Sequence, residues 1–147
     1  ETLAASGDTT SDRQKGFRRL STEPAQCTRV SLLAMSKHIL IVEDDELVAD
    51  QLAALVRDQL DCTPVVATST GEAMAFTAEH INFGFLDVQL ADGLAFPLAK
   101  HLRERGVPFV FVSASNPVIV PADLSDTLFL RKPVTPPRLL AVARAHL

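Results

Sequence analysis

One stretch of the sequence restricts the fold more than any other. Residues 38–42 read His-Ile-Leu-Ile-Val and run directly into the four acids Glu43, Asp44, Asp45 and Glu46. A short apolar run bounded by polar residues is typical of a strand buried on both faces of a parallel sheet. Ligands of open α/β sheets bind at the carboxyl ends of the strands, which predicts a divalent-cation site at these acids. The alternative interpretation is that the acids only begin a helix, where they favour the helix dipole.

The composition describes a globular protein of ordinary domain size and disfavours two functional classes. Of the 147 residues, 47% are hydrophobic and 22% are charged, and the net charge is −4. This negative charge and the lack of Trp and Tyr argue against nucleic-acid binding. No apolar run has the length of a membrane span, so we expect no membrane insertion. Cys27 and Cys62 lack metal-site spacing and are expected to be free thiols in a reducing cytoplasm.

The beginning of the chain differs from the remainder. Residues 1–26 are rich in Ser, Thr, Gly and charged residues and show no sustained hydrophobic period. Such a segment buries too little apolar surface to order itself. We therefore expect residues 1–36 to be a disordered or weakly ordered extension or linker, and residues 37–147 to be the folded domain.

From residue 38 onward, strand and helix patterns alternate along the chain. Strands are predicted at residues 38–42, 64–67, 83–86, 107–112 and 127–130, and helices at about 46–60, 70–80, 94–105 and 136–146. Leu94, Leu98 and Leu102 repeat at helical spacing, which predicts one buried helix face. Pro117 and Pro121 predict that the fourth helix, within residues 116–126, is short or irregular. This alternation predicts a doubly wound α/β fold with a five-stranded parallel sheet in the flavodoxin-like order 2-1-3-4-5.

Polar side chains stand at the ends of four strands of this predicted sheet. Glu43 and Asp44 follow the first strand, Asp87 the third, Ser113 the fourth and Lys132 the fifth. The predicted strand order brings all of them to one rim. Carboxylates there can share a Mg²⁺ ion, and a carboxylate can attack a phosphoryl group to give an aspartyl-phosphate. A hydroxyl and an ammonium group can stabilise the oxygens of the transferring group.

These residues, in this order, resemble the receiver domains of bacterial two-component response regulators. The resemblance covers residues 37–147 and is carried by residues 39–46, 86–93, 112–114 and Lys132-Pro133. It implies that Asp87 accepts a phosphoryl group from a phosphohistidine. The donor would be a sensor histidine kinase or a histidine phosphotransfer protein.

The resemblance also implies how a metal ion would be held. Asp44 and Asp87 would bind Mg²⁺ directly, and Glu43 would act through a water molecule. Gln89, two residues after the acceptor, would offer its backbone carbonyl. Asp45 falls one place after the acidic pair of the family, and we expect it to cap the following helix.

The remaining matched positions are implied to sense the phosphoryl group. Ser113 corresponds to the switch hydroxyl, Phe129 to the aromatic switch residue and Lys132 to the phosphate-binding lysine. The bond between Lys132 and Pro133 is cis in this family. Movement of Ser113 and Phe129 would repack the surface around the irregular fourth helix, the fifth strand and the last helix.

The short loop after Asp87 and the fourth strand are similar to those of stand-alone, single-domain receivers. The sequence ends just after the last helix, so we expect no DNA-binding output domain to follow it. Output would act through protein contacts with a downstream partner, and a homodimer is one such arrangement. We expect the protein to be cytoplasmic and to transfer phosphoryl groups without being a turnover enzyme.

Two other functions stay open at this stage. A haloacid-dehalogenase-type phosphatase also forms an aspartyl-phosphate with Mg²⁺. It would carry its nucleophile after the first strand in an Asp-x-Asp spacing, which Glu43-Asp44-Asp45 lacks. A pseudo-receiver would bind partners without phosphorylation, and the complete set of acids, serine and lysine argues against it.

Overall fold

The computed structural model describes residues 36–147, of which Lys37–Leu147 form one compact unit. The predicted extension over residues 1–36 falls outside the described residues except for Ser36, and Cys27 lies outside them as well. Cys62 is a buried free thiol, as predicted.

A five-stranded parallel sheet forms the centre of this unit. Its strands are β1 (His38–Val42), β2 (Thr63–Ala67), β3 (Phe83–Leu86), β4 (Phe109–Ser113) and β5 (Phe129–Arg131). They lie in the order β2-β1-β3-β4-β5, with every neighbouring pair parallel. The predicted doubly wound fold and its strand order are confirmed. The strand bounds differ from the prediction by no more than two residues at either end.

Four α-helices cover this sheet within the described residues. They are α1 (Glu46–Leu60), α2 (Thr70–Phe76), α3 (Phe96–Glu104) and α4 (Pro136–His146). Between β4 and β5 the chain forms two short 3₁₀ turns, Pro117–Ile119 and Ala122–Leu124, which confirms the predicted irregular connection. None of the helices in residues 36–147 has the length and apolar content needed to cross a membrane.

The strand β1 shows why its apolar run is continuous. Leu40 and Val42 pack into a core shared with α2 and α3, whereas Ile39 and Ile41 pack into a second core shared with α1 and α4. All four side chains are buried. Because both faces of the sheet are covered, polar side chains are left to its two ends.

The structure corrects the predicted start of the third helix. Leu98 and Leu102 are fully buried in α3, but Leu94 is 46% exposed and lies before the helix. Leu94 instead pairs with Gln89 in a small antiparallel hairpin, Gln89–Leu90 with Gly93–Leu94, which we call the acceptor hairpin. In the sequence this hairpin is marked only by Asp92-Gly93, a pair typical of turns. A two-residue strand is too short to produce a recognisable alternation.

The helix α2 ends earlier than predicted, at Phe76 rather than near His80. The Thr77 hydroxyl donates to the Met74 carbonyl over 2.6 Å, which competes with the helical backbone bonds. The next amides bond to carbonyls three residues back, as in the pair Glu79 N–H and Phe76 O at 3.0 Å. The chain therefore tightens into a turn before it enters β3.

Truncation of two leucines tests the corrected helix boundary. We expect Leu102→Ala to lower the free energy of unfolding by about 2–5 kcal/mol, because it opens a cavity in the core. We expect Leu94→Ala to cost less than about 1 kcal/mol, because that side chain is half exposed. Urea unfolding followed by circular dichroism measures both. Equal decreases in the free energy of unfolding of the two variants would contradict the placement of Leu94 outside the core.

Candidate acidic site at the carboxyl rim of the sheet

Strand register brings residues that are distant in sequence to one rim. Val42 lies opposite Leu86 in the β1–β3 pair, so Glu43 and Asp87 follow neighbouring positions. The Asp87 N–H extends this pairing by donating to the Val42 carbonyl over 2.9 Å. These backbone bonds fix the acids at the ends of buried strands rather than on a free loop.

The same register places Lys132 beside the acids. Lys132 directly follows β5, and its backbone N–H donates over 2.9 Å to the carbonyl of Ser113, the last residue of β4. The Lys132 ammonium donates to Glu43 Oε2 at 2.5 Å and to Asp87 Oδ2 at 3.1 Å. The side chains of Glu43 and Asp87 are only 4% and 12% exposed, and that of Lys132 is 25% exposed. One cation thus bridges two largely buried carboxylates.

Burial and pairing act in opposite directions on the ionisation of this group. Burial raises the pKa of the Glu43 carboxyl, although the hydrogen bond from Lys132 and the Asp45 N–H lower it in part. Burial by itself would lower the pKa of the Lys132 ammonium, but the hydrogen bonds and charges of Glu43 and Asp87 outweigh that effect and raise the pKa. Lys132 therefore stays protonated at neutral pH.

Three carboxylates at this rim could hold a metal ion. Ligand oxygens of Glu43, Asp44 and Asp87 all lie within 4.8 Å of one another. Glu43 is buried, whereas Asp44 is exposed to solvent. An all-oxygen set that is partly open to water suits Mg²⁺, which keeps several of its water ligands.

Asp45, the third acid of the sequence cluster, has a different role. Asp45 Oδ1 accepts from the Leu47 N–H at 3.0 Å and from the Val48 N–H at 3.3 Å, so Asp45 is the N-cap of α1. The Asp45 N–H in turn donates to Glu43 Oε1 over 3.2 Å. The predicted cap is confirmed, and it also orients Glu43 toward the site.

The serine predicted as a switch ends β4 at this rim and is almost fully buried. The Ser113 hydroxyl oxygen accepts from the Ser115 N–H over 3.2 Å. Asp87 Oδ1 accepts from the neighbouring Val88 N–H over 2.7 Å. Ser113 and Asp87 therefore each engage the loop that follows their own strand, and the switch role of Ser113 stays a prediction.

Two other predicted residues are not brought into contact with the acids. The half-buried ring of Phe129 lies against Phe111, with ring centres 6.0 Å apart. Gln89 lies in the acceptor hairpin with its side chain exposed. The roles assigned to Phe129 and to the Gln89 carbonyl also stay predictions. The Lys132–Pro133 bond is cis, as expected.

The chain is similar in sequence to curated bacterial regulators, although no family model matches it. The sensory transduction protein RegX3 of Mycolicibacterium smegmatis is 32% identical over 113 residues, which are 74% of this chain and 50% of RegX3. The chain spans about half the length of the curated relatives it matches.

Several solved structures with a similar fold are matched over nearly their whole length. SdrG from Sphingomonas melonis Fr1 is 33% identical, with a TM-score of 0.63, and the match covers 75% of this chain and 95% of SdrG. A CheY-like response regulator receiver domain from Methylobacillus flagellatus gives 24% identity and a TM-score of 0.65 over 76% of this chain and 99% of that domain. TrrA from Thermotoga maritima, solved in complex with Mg²⁺ and beryllofluoride, gives 16% identity and a TM-score of 0.67 over 76% and 99%.

Removal of the bridging cation tests the electrostatics of the rim. In Mg²⁺-free buffer at neutral pH, we expect Lys132→Met to lower the free energy of unfolding by about 1–3 kcal/mol, because Glu43 is left buried and unpaired. Lys100→Met is the matched control, since Lys100 forms an exposed ion pair with Asp123 at 3.4 Å. The free energy of unfolding of Lys100→Met should fall by less than about 1 kcal/mol. Chemical unfolding that shows similar losses in both variants would contradict the bridging role.

Proposed function

The chain belongs to the receiver domains of two-component response regulators, and we propose that it is a phosphorylation-driven switch whose acceptor is Asp87. The observation that carries this proposal is the bridge from Lys132 to Glu43 and Asp87. It joins the proposed nucleophile Asp87, a cation and a second carboxylate at the carboxyl rim of a parallel sheet, where phosphoryl chemistry needs them.

The proposed reaction is a transfer of the phosphoryl group from nitrogen to oxygen. A carboxylate oxygen of Asp87 attacks the phosphorus atom of a phosphohistidine on a partner. The new P–O bond forms as the P–N bond breaks, and the leaving imidazole keeps the electron pair and takes up a proton. The product is an acyl phosphate on Asp87. Lys132, which already contacts Asp87 Oδ2, donates to an oxygen of the transferring group.

The carboxylates of this site fit a Mg²⁺ ion. Asp44 and Asp87 would bind it directly, Glu43 through water, and Gln89 through its backbone carbonyl. When bound, the ion would neutralise charge on the phosphoryl oxygens. Support comes from the mutual distances of the three carboxylates and from the Mg²⁺ and beryllofluoride complex of the fold neighbour TrrA.

The switch proposed to follow is a local rearrangement around β4 and β5. The Ser113 hydroxyl leaves the Ser115 N–H and donates to the phosphoryl group, and the ring of Phe129 moves into the space that opens. This changes the surface formed by the 3₁₀ turns, β5 and α4. Val118 is 81% exposed and Leu128 is 42% exposed on this connection, which suits a protein partner.

The partners proposed are a sensor histidine kinase or a histidine phosphotransfer protein upstream, and a downstream protein that reads the altered surface. A homodimer would use the same surface. The protein would act in the cytoplasm as a stoichiometric acceptor rather than as a turnover enzyme.

Beryllofluoride, a stand-in for the phosphoryl group, tests the acceptor. We expect the protein to bind it only with Mg²⁺, with changes in the backbone amide NMR signals of Asp87, Ser113 and Phe129. Asp87→Asn should abolish the changes, because the nucleophilic oxygen is lost. Asp58→Asn, which alters an exposed acid on α1, should leave them intact.

The other outcomes separate the rival functions. A folded protein that shows no change with Mg²⁺ and beryllofluoride would be a pseudo-receiver. Continuous release of phosphate from a phosphomonoester would identify a phosphatase instead. Either result would overturn the proposed function.

A further inference from the structure

The acceptor hairpin is held firmly at its base. Its base follows Asp87 directly, and it is closed by the Ala95 N–H, which donates to the Val88 carbonyl over 2.9 Å. Val88, just before the hairpin, and Leu90, within it, are 0% and 8% exposed, but the four residues from Ala91 to Leu94 are exposed. Two paired residues on each strand do not stabilise a hairpin alone. The tip therefore needs an anchor elsewhere.

Asp92 at the tip provides that anchor by bonding to the start of α2. Its Oδ1 accepts from the Thr70 N–H at 3.0 Å, and its Oδ2 accepts from the Thr70 hydroxyl at 2.7 Å. The Gly71 N–H donates to the same Oδ2 at 3.2 Å. These bonds lower the pKa of the Asp92 carboxyl, so the group is ionised at neutral pH. An anion at this end of a helix also interacts favourably with the helix dipole.

The beginning of α2 depends on this residue from another part of the chain. The first amides of a helix have no partner within the helix. The Asp92 carboxylate accepts from the N–H groups of Thr70 and Gly71. The Ser69 hydroxyl oxygen accepts from the Glu72 N–H over 3.2 Å. Two different residues thus share one cap, and only Asp92 connects it to the acceptor hairpin.

We propose that Asp92 is a positioning residue for the acceptor: by fastening the hairpin tip to α2, it fixes the backbone that runs from Asp87 to Gln89. That backbone supplies the Val88 N–H, which holds Asp87 Oδ1 at 2.7 Å, and the carbonyl of Gln89 proposed as a metal ligand. The inference rests on the proposed function, since it assigns Asp92 to the support of the same Mg²⁺ and phosphoryl site.

The competing explanation is that Asp92 only stabilises α2. Ser69→Ala distinguishes the two, because it removes the other half of the cap without touching the hairpin. Asp92→Asn removes the charge and one acceptor oxygen. Thr70→Val removes only the 2.7 Å hydroxyl bond and serves if Asp92→Asn fails to fold.

The experiment measures the affinity of each full-length variant for beryllofluoride in excess Mg²⁺ and its free energy of unfolding without Mg²⁺. We expect Asp92→Asn and Thr70→Val to weaken binding by about 3- to 10-fold, the range expected for loss of one hydrogen bond. Ser69→Ala should lower the free energy of unfolding by about as much as Asp92→Asn does. Its affinity for beryllofluoride should stay within about twofold of wild type.

Two results would overturn the inference alone. In one, wild type binds and both hairpin variants match its affinity. In the other, Ser69→Ala weakens binding as much as they do. If wild type itself fails to bind, the proposed function fails together with the inference.

Discussion

The structure depends on one ammonium group placed between two carboxylates. Glu43 and Asp87 end adjacent strands, where their charges would repel each other in a largely buried setting. Lys132 offsets that repulsion. In the sequence it follows Glu43 by 89 residues and Asp87 by 45 residues. The lysine reaches the acids only when β1, β3, β4 and β5 are correctly ordered, so the ion pairs depend on four of the five strands. The same pairs place a cation next to the proposed nucleophile before any phosphoryl group arrives.

The fold delivers these groups through ordinary packing. Side chains of β1 alternate between two cores, so the sheet is covered on both faces and its carboxyl rim remains open to a ligand. Around that rim, Asp45, Asp87 and Asp92 each form a different set of hydrogen bonds. Asp45 caps α1 and orients Glu43, Val88 holds Asp87, and Asp92 ties the hairpin to α2. The acceptor is thereby connected to α1 and α2 by chains of hydrogen bonds.

Much of the fold could be predicted from the sequence because buried strands and amphipathic helices carry periodic signals. The strand order and the last helix follow from such patterns. The irregular connection follows from Pro117 and Pro121, and the cap at Asp45 follows from its place after the acidic pair in the family resemblance. The acceptor hairpin could not be predicted, since each of its strands has two residues, and Leu94 happens to continue the spacing of Leu98 and Leu102. The bonds of Asp92 to Thr70 and Gly71 span more than 20 residues, so no local pattern reveals them. The roles of Ser113, Phe129 and Gln89 depend on a phosphoryl group and a metal, and they remain predictions.

The central claim is that the Asp87 carboxylate becomes an acyl phosphate. The most direct measurement is to incubate the protein with Mg²⁺ and phosphoramidate, trap any acyl phosphate by borohydride reduction, and locate the reduced residue by mass spectrometry. We expect a reduced residue at position 87 that requires Mg²⁺ and never exceeds one per chain. Trapping at another carboxylate, or no trapping in a folded protein with Mg²⁺ present, would contradict it.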